Sequence, residues 1–198
     1  MPEIGNKSLF LINYKLIEID NIHYTKIEKL QWGYGHLCFY AHNINIGTYD
    51  EWTSLIVVRN YLKDFLQKRN YRFVDEDLYN EPSEMIFYSL YEQFFSGTQS
   101  KNDKYINKYN VKNFSTVRDN FHLDDIGEDS FRDKFGIILL NSKKQKKQKL
   151  IWKNFKTDEL FCIQYEEFLV DDILNLFYNN LNNVFSIGWC PHHSCSED

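Results

Sequence analysis

Residues 121–181 change their apolar period in a way few folds can accommodate. An acidic loop, FHLDDIGEDSFRD, leads into the run FGIILL. The chain then turns through SKKQKKQK, returns through LIWK and ELFCIQ, and continues into EEFLVDDILNLFYNNL. Short apolar runs at 134–140, 149–152 and 160–164 predict strands, the first two joined by a turn carrying five lysines. Over 166–181 the period lengthens. Leu169, Ile173, Leu176 and Phe177 predict one apolar helix face, with Glu167, Asp171 and Asp172 elsewhere on the helix.

Upstream the pattern is similar in kind. Residues 8–20 and 33–47 read as strands, and the second shifts phase at His42–Asn43, which predicts a bulge or tight turn there. Leu55, Val58, Leu62, Phe65 and Leu66 predict a helix over 53–69, capped by Thr53 or Asp50. Pro82 opens a second predicted helix over 82–95, with Met85, Ile86, Leu90, Tyr91 and Phe94 on its apolar face and Gly97 after its end. The polar stretch 97–118 reads as an irregular exposed loop. Gly33 and Gly35 read as turn residues. Strands and helices cluster as β-β-α-α and then β-β-β-α. This predicts an α+β fold, an antiparallel sheet packed by helices on one face, in a single domain over 1–185 with a tail at 186–198.

The 198 residues suit one domain, and folding a chain of this size buries roughly 70% of the unfolded surface, enough for a core without staples. A formal net charge of −5 argues against a nucleic-acid partner, because such domains carry a basic footprint. No apolar run approaches the roughly 18 residues of a membrane span, and the N-terminal run is too short for a secretory signal. A reducing, cytoplasmic setting is therefore expected. Cys38 and Cys162 lie in apolar, strand-like surroundings, where a free cysteine behaves as a small buried hydrophobe.

The chemistry-bearing residues form no complete constellation. Cys190, His192, His193 and Cys195 have zinc-ligand types, but so short a loop cannot easily bring all of them onto one ion. No metal or other cofactor is expected. His36 and His42, six positions apart in a predicted strand, share a face without a carboxylate at matching spacing. There is no nucleophile elbow and no phosphate-binding glycine loop. Trp152 falls inside a strand and reads as half-buried and structural.

Carboxylates gather at Asp75, Glu76 and Asp77, at Asp124, Asp125, Glu128 and Asp129, and at Glu166, Glu167, Asp171 and Asp172. They fit solvated loops and helix starts, a docking face for a basic partner, or, with inward convergence, a metal-dependent nuclease site. The lysine run at 143–149 lacks interleaved aromatics and reads as a solvated turn.

The block FHLDDIGEDSFRD, the strand FGIILL and the segment Leu150-Ile151-Trp152-Lys153 resemble bacterial immunity proteins of polymorphic toxin systems, and among them the immunity 42 family. Members of that family show an IG…F.D loop, a strand, a charged turn, an IW strand, a short strand and a closing helix. The opening Ile4-Gly5-Asn6 is similar to the family's start. The resemblance covers 121–181 well and the first 50 residues weakly. The aromatic-rich middle, 61–113, and the CPHHSC tail depart from the pattern. The resemblance implies an α+β protein that binds and neutralises a cognate protein toxin. The expectation is a non-catalytic protein that occludes the toxin's active site, and, if the toxin is a basic nuclease-type domain, one whose acidic patches mimic the phosphate backbone. It transfers no catalytic residue. Asp75, Glu76, Asp77, Asp124, Asp125, Glu128 and Asp129 are the residues through which such a partner would dock. A carboxylate- or metal-dependent hydrolase and a generic adaptor from a mobile element are the alternative readings.

Overall fold

A computed structural model describes residues 2–17, 33–92, 120–127, 131 and 133–186. The first sheet is built from strands β1 (Glu3–Gly5), β2 (Phe10–Leu16), β3 (Tyr34–Ala41), β4 (Ile44–Ile46) and β5 (Trp52–Ser54), every pairing antiparallel. Alternation sends Phe10, Ile12 and Tyr14 of β2 and Leu37, Phe39 and Ala41 of β3 into the core. The phase shift expected near His42–Asn43 is a tight turn. Both residues have positive φ, 46° and 67°, and Ala41 pairs with Ile44 across them. That backbone matches the twist of a two-residue hairpin. Gly47 follows with φ 104°, and a Cβ there would stand 2.6 Å from the Phe131 ring.

Helix α1 (Leu55–Gln67) starts later than its period suggests, because Thr53 is used by β5. The cap is Ser54, whose hydroxyl accepts the Val57 N–H at 3.4 Å, rather than Thr53 or Asp50. Tyr34 and Gly35 lie within β3 and not in a turn. A Cβ on Gly35 would meet Leu55 Cδ1 at 2.5 Å, so the glycine permits close approach of strand and helix.

The second sheet runs β6 (Phe73–Val74), β7 (Phe135–Ser142), β8 (Lys147–Asn154) and β9 (Glu159–Glu166). β6 is parallel to β7 and the remaining pairs are antiparallel. The fold is α+β, with its strands divided between two sheets, a division that periodicity does not carry. Every residue of β7 is buried, which accounts for its unbroken apolar run. One face of the second sheet shares the main core with the first sheet, α1 and the C-terminal helix through Ile137, Leu139, Leu150 and Trp152. Its other face, Ile138, Leu140 and Ile151, is covered by α2 (Glu76–Tyr79) and α3 (Ser83–Phe87). Trp152 is fully buried, not half-buried as its strand position suggested.

Two helices differ from their sequence reading. α3 gives way to a π turn, Tyr88–Glu92. The wider register turns Leu90 and Tyr91 inward beside Ile86 and Phe87, while Met85 is only partly buried. Phe94 and the loop expected at 97–118 lie outside the described residues. The last helix, α4, spans Leu169–Ser186 and buries Val170, Asp171, Leu174, Phe177, Leu181 and Phe185. The expected face is rotated, and Leu176 is 56% exposed. The rotation goes with Asp171, a charged residue drawn into the interior by a partner described below. Cys38 is buried as expected, whereas Cys162 is exposed on β9.

Candidate functional site

The first acidic group sits where β6 delivers the chain to one end of β7. The parallel pair Val74–Ser142 places the residues after Val74 against the turn joining β7 to β8. Glu76 accepts hydrogen bonds from Ser142 Oγ, from Lys144 N at 2.9 Å and from Gln145 Nε2 at 2.7 Å. Asp75 accepts from Lys143 Nζ at 2.8 Å. The Ser142 hydroxyl holds Glu76 below the usual carboxylate range, and Lys143 does the same for Asp75. Glu76 therefore seats the lysine turn, while Asp75 and Asp77 remain exposed.

The lysine run is less freely solvated than its composition suggests. Lys147, directly opposite Glu166 in the β8–β9 register, pairs with it. Lys149 lies 4.5 Å above the Tyr79 ring and donates to the Tyr79 carbonyl, and burial lowers its pKa. The buried Tyr79 hydroxyl, pushed up to about 12, accepts from Gln164 of β9 at 3.3 Å. Start of α2, lysine turn and C-terminal end of β9 thus form one continuous surface bearing Asp75, Asp77 and Glu166.

The second acidic group is divided. A 3₁₀ turn, Asp124–Ile126, points Asp124 inward, where it is 2% exposed. Tyr91 Oη donates to Asp124 Oδ2 at 2.9 Å and Ile137 N to Oδ1 at 3.4 Å. His122 stacks on Tyr91 with centroids 4.7 Å apart, sets Nε2 2.8 Å from the Leu90 carbonyl, and holds Nδ1 3.8 Å from Asp124 Oδ1. Burial, only partly offset by Tyr91, pushes Asp124 up to about 7. This group is closed to solvent: it ties turn, π helix and β7 together and offers no surface to a substrate. Asp125 is half-exposed, and Glu128 and Asp129 lie outside the described residues. Asp124 acts at Ile137 and Glu76 at Ser142, positions about 17 Å apart at the usual rise along a strand. Among the described residues the two acidic groups therefore do not merge into one patch.

Asp171 of the third group pairs with Arg72, and both side chains are fully buried. In the sequence Asp171 appears only as one of a group of carboxylates off the predicted apolar face, and Arg72 carries no signal of its own. His36 and His42 do not share a strand face. His36 stacks on Tyr49 at 5.1 Å, and His42 occupies the hairpin turn, edge-on to Tyr165. Among the described residues, no three His, Cys, Asp or Glu side chains converge to hold a metal. The tail with Cys190, His192, His193 and Cys195 lies outside them. The aromatic residues presented to solvent, which spacing cannot identify, include Tyr71, 69% exposed, and Trp52, 50% exposed. Trp52 stands opposite His36 on the outer face of the first sheet, next to the pair Tyr34–Ser54.

No helix among the described residues is long and apolar enough to cross a membrane. No curated protein and no solved structure matches the chain. A family model described as immunity protein 42 matches residues 1–180, a span that takes in the aromatic-rich middle, 61–113, expected to depart from the family's pattern.

Proposed function

The chain belongs to the immunity protein 42 family, and on that premise we propose that it binds a cognate toxin in the cytoplasm and neutralises it by covering the toxin's active site, without turning over a substrate itself. The observation that carries this reading is the family match over residues 1–180. The geometry supports a binding role. The carboxylates with catalytic potential, Asp124 and Asp171, are buried and engaged with neighbouring side chains. Asp75, Asp77 and Glu166 are among the carboxylates open to solvent, and they share one end of the second sheet.

Such a surface suits a basic toxin domain of the nuclease type. Complementary charge speeds association and selects partners, while a few aromatic anchors hold the complex. Asp75, Asp77 and the half-exposed Asp125 are the docking carboxylates of the described chain. Glu76 holds the adjacent turn in shape, and Asp124 supports the 3₁₀ turn from inside. A stable complex of ordinary size would bury about 800 Å² on each partner.

The test is co-expression with the product of the adjacent gene, followed by co-purification and a toxicity assay. A stoichiometric complex and restored growth are expected, with the toxin's substrate unable to enter the complex. Growth arrest that persists despite folded, abundant immunity protein would sink the reading.

A further inference from the structure

The strands that close the sheets are not alike. β1, β4 and β5 have three residues each and β6 has two, while β9 has eight. Short edges are one way proteins prevent unwanted strand pairing. β9 lacks that protection. It pairs with β8 without a bulge from Lys147–Glu166 to Asn154–Glu159, and ELFCIQYE contains no proline and no lysine. Among the described residues, no strand and no backbone donor engages its other side.

The register says which groups face outward. Glu167 N donates to Lys146 O at 3.1 Å, so odd-numbered residues of β9 bond to β8. By alternation Leu160, Cys162, Gln164 and Glu166 direct their N–H and C=O groups away from the sheet. This free edge is apolar at its centre, and carboxylates stand at both ends: Asp158 and Glu159 at one, Glu166 and Glu167 at the other. The lysines that neighbour them, Lys153 and Lys147, stand on β8, the far side from the edge.

Those charges discriminate between occupants. A second copy of the chain pairing antiparallel about Cys162 would bring Asp158, in the turn before β9, up to Glu166 of the copy, twice. Pairing about Ile163 would set Glu159 against Glu167 of the copy, twice. Like charges directly opposed are unfavourable in a sheet. An extended segment with an alternating apolar centre and basic ends meets no such penalty.

We propose that β9 is the strand to which the toxin adds an extended, lysine- or arginine-flanked segment, extending the second sheet by one strand. This deepens the immunity reading and rests on it. Main-chain hydrogen bonds supply the affinity, and the end carboxylates supply the choice of partner. The acidic surface at Asp75 and Asp77 adjoins the Glu166 end of this edge and would steer the same basic partner.

The test uses the full chain and two acetylated heptapeptides of alternating valine and threonine, one flanked by lysine and one by glutamate. Amide hydrogen exchange is followed by NMR. The lysine-flanked peptide should slow exchange at Leu160, Cys162 and Gln164 by about tenfold or more, leaving the already paired Phe161 and Ile163 unchanged. The glutamate-flanked peptide should not. Cys162→Pro, which lacks the outward N–H, and Cys162→Lys, which keeps the backbone intact, should both abolish the effect at Leu160 and Gln164. No slowing, equal slowing by both peptides, or slowing that grows with the concentration of the chain alone overturns the proposal. Because the peptides replace the toxin, peptide binding without any toxin partner removes the immunity reading and leaves the edge standing. Equal capture of the toxin by wild-type and Cys162→Lys protein does the reverse.

Discussion

Arg72 and Asp171, 99 positions apart in sequence, form an ion pair in which neither side chain reaches solvent. Arg72 also donates to the Phe65 carbonyl at 2.8 Å and the Asn120 carbonyl at 3.3 Å, with its guanidinium 4.0 Å above the Phe65 ring. Asp171 accepts from Gln148 Nε2 at 2.6 Å, and Gln148 Oε1 accepts the Val170 N–H at 2.9 Å. Burial pushes Asp171 up and Arg72 down, and their mutual attraction opposes both shifts. The network joins the end of α1, the β8 strand and the start of α4.

Arg72→Met should therefore leave an uncompensated buried carboxylate and cost about 3–5 kcal/mol. The double change Arg72→Met with Asp171→Leu should recover most of that loss, since well-packed apolar pairs often replace buried ion pairs without penalty. Urea denaturation of both variants checks this. A double variant no more stable than the single one would contradict it.

Asp124 makes stability depend on pH. Its folded value of about 7 lies above the ordinary 3.8, so the fold favours the protonated carboxyl. The stabilisation is complete below the unfolded value and is lost as pH rises toward and through 7. At about 1.4 kcal/mol for each pKa unit, the change approaches about 4 kcal/mol. Asp124→Asn keeps one of the two acceptor oxygens, enough for either Tyr91 Oη or the Ile137 N–H, and cannot ionise beside Asp125 and His122. Its urea midpoint should fall less than that of the wild type between about pH 4 and pH 8. Parallel pH profiles for the two proteins would show that Asp124 is not the group responsible.

Asp77 is exposed beside the lysine turn. Asp77→Lys should leave the melting temperature unchanged and slow association with a basic toxin domain, with a smaller effect on dissociation. Stopped-flow binding at low and high salt checks this. An association rate that does not move at low salt would exclude this surface from steering.

Glu166 guards the free edge against a second copy. Glu166→Lys replaces the Asp158–Glu166 repulsion with attraction at both ends of the pairing centred on Cys162, at the expense of the exposed Lys147 pair. Exposed pairs of that kind contribute at most about 1 kcal/mol. The variant should stay folded and shift toward dimer in light scattering at concentrations where the wild type does not. An unchanged mass would show that the end charges do not set the choice of partner.

Gly47 combines φ 104° with a ring of the fully buried Phe131 where a Cβ would go. Gly47→Ala should destabilise by about 1–3 kcal/mol from backbone strain alone. Adding Phe131→Leu should return part of the loss if the ring contact contributes as well. Thermal melts of the single and double variants separate the two effects.

Local pattern is enough to place most of the strands and the cores of the helices. Val58, Leu62 and Phe65 recur at helical steps, FGIILL is apolar throughout because β7 is covered on both faces, and the phase shift at His42–Asn43 marks a turn. These are short-range consequences of side-chain period and backbone freedom, and the family motif around Trp152 rests on the same residues. Which carboxylates meet solvent is not a local property. Asp124, Asp171 and Asp77 look alike in sequence. The first is buried because a 3₁₀ turn aims it at Tyr91, the second because Arg72 arrives from the turn that follows α1, and the third is exposed because nothing among the described residues packs on that side of α2. The division of the strands into two sheets, the rotation of α4 and the free edge of β9 likewise depend on contacts between distant segments. Spacing determines what each segment can bury, and only the closed tertiary structure decides which partner is there to bury it.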